Sequence, residues 1–170
     1  MNASLRITAF SLLLAVCAFS AQLHDFEGRF LREDAKSADP SKAIDLATQD
    51  MSFVTRPLAR DRLRKSNKPV PSLWIKENGS NVDIGYGNTD LISCPSNGKS
   101  IAWERNGEKA QLSIKLQGGV LVQTFQGEEG AKRNSFQLSP DGNELTLETR
   151  ITSPRLPAPV VYRTVFRRTP

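Results

Sequence analysis

From Pro71 onward, apolar and polar positions alternate with a period of two, the repeat of a strand that buries one face. "SLWIKENGSNVDIGY" sets Leu73 and Ile75, then Val82, Ile84 and Tyr86, on either side of Asn-Gly-Ser, which reads as a hairpin. "AQLSIKLQGGVLVQTFQ" aligns Leu112, Ile114 and Leu116, turns at Gly118-Gly119 and resumes with Val120 and Val122. "SFQLSPDGNELTLETRI" carries Phe136 and Leu138 into a Pro-Asp-Gly-Asn turn and out again through Leu145, Leu147 and Ile151. "PVVYRTVFRR" closes the chain with Val160, Tyr162 and Phe166 opposite Arg163 and Arg167. "TDLIS" and "SIAWER" supply two less regular strands between, and the face taken by Trp103 stays open.

Ahead of this ribbon the period changes. Ile44, Ala47, Met51 and Val54 recur at helical spacing, with Asp39 as N-cap and Pro40 in the first helical position. Pro57 predicts a break, and Leu58 and Leu63 support a second short helix that turns both leucines toward the body of the protein, with Thr55 as a possible cap. The helical insertion therefore runs from about residue 40 to residue 67. It follows a first strand in "LHDFEGRFLRED", marked by Phe26 and Phe30. In all, about nine hairpin-linked strands are expected, and a meander of that length either packs as a sandwich or closes on itself and so removes its edges. The favoured fold is mainly β, an antiparallel up-and-down barrel with a helical insertion between the first and second strands.

The first residues do not belong to that domain. "MNASLRITAFSLLLAVCAFSAQ" has one cation, a short apolar run and small residues, the layout of a secretory signal over residues 1–20. Residues 21–170 are then one domain, secreted or periplasmic. "LAVC" also approaches a lipoprotein signal that would lipidate Cys17, although Val16 stands where a small residue is expected. Removal of the leader leaves Cys94 as the lone cysteine, so the core must hold by packing and not by a disulfide.

Charge is concentrated in one place. Residues 51–68 carry six cations (Arg56, Arg60, Arg62, Arg64, Lys65 and Lys68) against the single acid Asp61. Such a run is either the wet face of a docked helix, with Asp61–Lys65 and Asp61–Arg64 pairs, or a site for an anionic partner. On the second reading Arg56, Arg60, Arg64, Lys65 and Lys68 would meet a membrane surface, a polysaccharide or an acidic protein. A diffuse basic footprint for nucleic acid is absent.

The layout resembles the secreted bacterial lipocalin-like barrels of the calycin type. "FEGRF" puts Gly28-Arg29-Phe30 where lipocalins carry Gly-x-Trp near the first strand, and "VYRTVFRR" brings arginines that can pack over Phe30. Phenylalanine replaces the tryptophan, helices replace the long loop after the first strand, and the helix that usually follows the barrel is missing. The resemblance implies a closed barrel with a ligand cavity.

Catalytic chemistry finds little to work with. His24 is the sole histidine and adjoins the processed end, which argues against a Ser–His or Cys–His hydrolase and against haem ligation. No zinc spacing, Walker loop or dinucleotide fingerprint is present. The expectation is a non-catalytic protein without metal or cofactor. It binds a small, largely apolar ligand in the barrel among Tyr86, Trp103, Phe125 and Tyr162; the alternative is a surface module that uses the basic helix 56–68.

Overall fold

The computed structural model describes residues 21–88 and 91–170. The signal segment and Cys17 lie outside them. The chain enters through a 3₁₀ turn, Leu23–Phe26, and strand β1 (Gly28–Arg32). Helices α1 (Pro40–Ala47) and α2 (Arg56–Ser66) follow. Nine further strands complete it: β2 (Ser72–Asn78), β3 (Asn81–Tyr86), β4 (Ile92–Pro95), β5 (Ile101–Arg105), β6 (Glu108–Gln117), β7 (Val120–Gly127), β8 (Gly130–Leu138), β9 (Glu144–Thr152) and β10 (Val160–Arg168). The count is ten strands where about nine were expected, and both less regular segments are among them, as β4 and β5.

All ten strands belong to one antiparallel sheet in the order β4-β3-β2-β1-β10-β9-β8-β7-β6-β5. β1 is the hinge of this order: Phe30 pairs with Leu73 on one side and with Arg168 on the other. The sheet edges at β4 and β5 are not paired with each other. Instead the loop after β4 reaches β6, where Gly98 N–H donates to Ile114 O at 2.9 Å and the Cys94 thiol donates to Leu112 O at 3.7 Å. The ribbon thus wraps into a nearly closed barrel, and Cys94 is a buried core residue on the seam.

The two helices form a hairpin over one mouth. Asp39 caps α1 as expected, its carboxylate accepting from Ser41 N–H at 2.8 Å. α1 ends sooner than the apolar spacing suggested: at Thr48, whose N–H and hydroxyl both donate to Ile44 O at 3.1 and 2.8 Å, the backbone leaves helical geometry. Met51 and Val54 therefore fall in the connecting turn, and Val54 is 69% exposed. Pro57 occupies the first turn of α2, where a missing amide proton does no harm. Only one of its two leucines faces the barrel: Leu63 packs with Ile44, Ala47 and Val160, whereas Leu58 is 64% exposed.

The opposite mouth is sealed by a single side chain. The Arg168 guanidinium lies 4.7 Å over the Phe30 ring. It also donates to Gly142 O at 2.8 Å, to Asp25 O at 2.6 Å and to Glu27 O. It thereby ties the 3₁₀ turn, the β8–β9 turn and the last strand into one knot above the buried Phe26. Gly28 is required beneath it, because its φ of +142° lies outside the range favoured by other residues and a Cβ would stand 2.6 Å from Arg168 Nη1.

Arg168→Met should therefore lower stability by about 2–4 kcal/mol, from the unpaired carbonyls and the lost ring contact. Arg168→Lys should recover little, since an ammonium cannot present the same fork. Urea denaturation of both variants checks this; a midpoint unchanged in either would show that closure does not depend on Arg168.

Candidate functional site

The register of β7 to β10 stacks the inward side chains in layers. Leu138, Leu145 and Phe166 make the floor, and Leu121, Phe136, Leu147 and Thr164 the layer above it. Then the chemistry changes. Gln123, Asn134, Thr149 and Tyr162 form a polar belt, and Phe125, Lys132, Ile151 and Val160 the layer nearest the lid. Phe26, Phe30, Phe136 and Phe166 are at most 1% exposed, so the floor is packed solid.

The belt is hydrogen-bonded across the lumen. Tyr86 from β3 donates to Gln123 Oε1 at 2.5 Å, and Asn134 Nδ2 donates to the same oxygen at 2.9 Å and to Tyr86 Oη at 3.1 Å. The Thr149 hydroxyl donates to Asn134 Oδ1 at 3.0 Å. Burial pushes the Tyr86 and Tyr162 phenols above their usual range. Gln123 Nε2 is a buried donor with no partner among the described residues, an unmet group in a lumen where nearly all others are met.

Lys132 is the unusual member. Its ammonium donates to Asn67 Oδ1 at 2.9 Å, and Asn67, just past α2, is itself 5% exposed. The Tyr162 hydroxyl donates to that same oxygen at 3.3 Å. Burial brings the lysine down to about 8, partly offset by the charge of Glu108. No carboxylate pairs directly with it among the described residues. A cation held in an apolar vessel against a neutral amide is poorly compensated.

The four aromatics expected in the lumen all point into it. Trp103, whose face the sequence left open, packs edge-on to Phe125 with ring centroids 5.0 Å apart. Tyr86, Trp103 and Phe125 adjoin the main core and Tyr162 the lid cluster, all only partly covered. The residues that sequence reading missed are the polar ones: Asn67, Gln123, Lys132, Asn134 and Thr149.

The basic helix is largely engaged with its own hairpin. Arg60 and Arg64, one turn apart, both grip Asp45 of α1, at 3.1 and 2.6 Å. Arg64 thus turns to Asp45 and not to Asp61, the partner expected for it. Arg56 donates to Met51 O at 2.6 Å, and Lys65 pairs with Asp61 at 2.7 Å. Lys68 is exposed, with no ion pair among the described residues. Beside these cations Phe53, Val54, Leu58 and Leu46 are 64–84% exposed.

No three His, Cys, Asp or Glu residues converge as a metal-ligating set among the described residues. Among the described residues, the two most prominent depressions both lie on the outer wall and not in the lumen. One, of about 670 Å³, is on the outer face of β6–β10 around Val122, Ser135 and the Glu148–Arg163 pair. The other, of about 490 Å³, flanks Trp74 and Arg29.

No protein-family model matches the sequence, and no curated protein sequence matches it. Solved structures do match in architecture. The apo form of Caenorhabditis elegans lipid binding protein 8 superposes with a TM-score of 0.58 at 11% identity, over 88% of this chain and 99% of that one. A secretory abundant heat soluble protein from Ramazzottius varieornatus gives 0.60 at 9%, over 85% and 96%. The Schistosoma mansoni fatty acid binding protein in complex with arachidonic acid gives 0.52 at 14%, over 87% and 98%. The chain therefore shares the fold of these structures, a nearly closed antiparallel β-barrel with a helix-turn-helix after its first strand.

Lys132 carries a sign for stability. The unfolded chain holds a proton up to the ordinary lysine value of 10.5, the folded chain only to about 8. Between those values the unfolded state binds more protons, so stability rises with pH across that window and the penalty is complete below about 8. Tyr86 works the other way only above its usual 10.0. Urea midpoints should accordingly climb from about pH 8 to about pH 10 in the wild type and climb less in Lys132→Met, which should be the more stable of the two at about pH 7. Parallel profiles would show that the lysine is solvated.

Proposed function

We propose that the protein is a non-catalytic carrier, secreted or periplasmic, that takes one small, largely apolar ligand with a single acidic head into the barrel. The observation that carries this is Lys132: a half-buried cation beneath the lid, beside Phe125 and the polar belt, whose one direct hydrogen-bond partner among the described residues is a neutral oxygen. An acid at the lid end of the barrel would lay its chain against Phe125 and Trp103, at and just above the level of Lys132, and bring the missing counter-charge to the ammonium. The lipid-binding neighbours of the same fold support the reading. So does the signal-like leader at residues 1–20, which accounts for export.

The matching experiment sets a long-chain fatty acid against the corresponding alcohol. Delipidated protein should bind the acid more tightly, Lys132→Met should weaken the acid about tenfold or more, and the alcohol should barely change. Acid affinity should fall as pH rises past about 8, where the free lysine gives up its proton. Failure to take up either compound, with no co-purified ligand in native mass spectrometry, would end the carrier reading.

A second reading attaches to the lid. Phe53, Val54 and Leu58 project from the helical turn beside exposed Arg62, Lys65 and Lys68. Apolar side chains ringed by cations suit an anionic lipid surface, with on the order of 1 kcal/mol per cation near it. Binding to phosphatidylglycerol vesicles at low salt should drop severalfold in Phe53→Ser/Leu58→Ser and be lost in Lys65→Glu/Lys68→Glu. Equal binding by these variants and the wild type would remove the lid as a docking surface.

A further inference from the structure

We propose that Asn67 is a built-in competitor for the ligand: from the lid, its side-chain oxygen occupies the place that an acidic head group takes between Lys132 and Tyr162. The inference rests on the carrier reading and adds a coupling between the lumen and the lid.

Two donors from different strands converge on one acceptor. Lys132 Nζ of β8 lies 2.9 Å from Asn67 Oδ1 and the Tyr162 hydroxyl of β10 lies 3.3 Å from it. The other end of the amide is fixed by the lid itself, since Asn67 Nδ2 donates to Leu63 O at 2.8 Å and to Ser66 Oγ at 3.1 Å. These bonds settle the orientation of the amide and aim its oxygen inward; the reverse orientation would set an NH₂ group against an ammonium. Asn67 is also the residue at which α2 ends. The end of the lid is therefore held in the mouth by the same two donors that a head group needs.

A carboxylate makes a charge-assisted bond to Lys132 where the amide makes a neutral acceptor's bond. Acid can accordingly displace Asn67, and in doing so it frees the end of α2. Displacement carries the same penalty for every ligand that takes this place. Lys132 then decides the preference for acids over alcohols, while Asn67 scales the affinity for both.

The test measures fatty acid and alcohol binding in the wild type, Asn67→Ala and Asn67→Asp, with hydrogen exchange across residues 63–68. Asn67→Ala should tighten both compounds about tenfold at an unchanged acid-to-alcohol ratio. Asn67→Asp gives Lys132 a permanent counter-ion and should weaken the acid by about tenfold or more. Amides of residues 63–68 should lose protection on ligand addition to the wild type and in unliganded Asn67→Ala alike. Tighter binding in Asn67→Ala together with this loss of protection establishes the competition, even where the wild type binds too weakly to measure. Acid bound by the wild type but no better by Asn67→Ala overturns the competition and leaves the carrier reading intact. Uptake by no variant overturns both.

Discussion

The barrel depends on β1 being paired on both sides, and that pairing depends on what lies over Phe30. β1 is five residues long and joins the β2–β4 half of the sheet to the β10–β5 half. A strand so short offers few ladder bonds, and the Arg168 guanidinium supplements them with a ring contact and three bonds to carbonyls of two turns. Since all those carbonyls belong to turns, without this side chain they would have to find water at a mouth that Phe26 and Ala21 otherwise keep dry. Rigidity at this end frees the other end to carry function.

That division shows in the lumen. Packing is complete at the floor, where four phenylalanines meet the leucine layers, and it loosens toward the lid. A chain of this size has apolar surface enough to fill a small barrel with hydrocarbon alone. Instead the upper layers hold an amide pair, two phenols and a lysine, groups that lower stability unless each is met. Most are met by one another. The two that are not, the Lys132 charge and Gln123 Nε2, stand where a guest molecule would lie. On the proposed carrier function, the stability forgone there marks the ligand's place better than the shape of any depression on the outer wall.

Much of this was legible in the chain. Period-two alternation set the inward face of β6, β8, β9 and β10 correctly because one buried face makes register unambiguous. It read β7 one residue out: Val120 and Val122 face the outer wall, and Leu121, Gln123 and Phe125 enter the barrel. It also contained the missed site: Phe136 and Leu138 set the parity of β8, and stepping back by twos from them lands on Asn134 and Lys132. Those residues passed as solvent-facing only because polarity was read as exposure. The lid was read less well. Met51 and Val54 continue the spacing of Ile44 and Ala47, yet the helix stops at its C-cap Thr48, a local backbone change that periodicity does not register. The partners of Arg60 and Arg64 were equally hidden, since Asp45 becomes their neighbour only once two helices fold back on each other.

That folding back also explains why so basic a segment can sit over a cationic lumen. A helix with six cations near it would repel Lys132 if its charges pointed inward. Asp45 draws Arg60 and Arg64 to the α1 side of the hairpin, the Met51 carbonyl takes Arg56, and Asp61 takes Lys65. What α2 sends to the lumen is the neutral, strongly dipolar amide of Asn67, at the helix end whose unpaired carbonyls carry partial negative charge. The lid thus meets the half-buried lysine with its one electrostatically compatible end, and on the proposed carrier function an acid would take over that contact without forcing two like charges together.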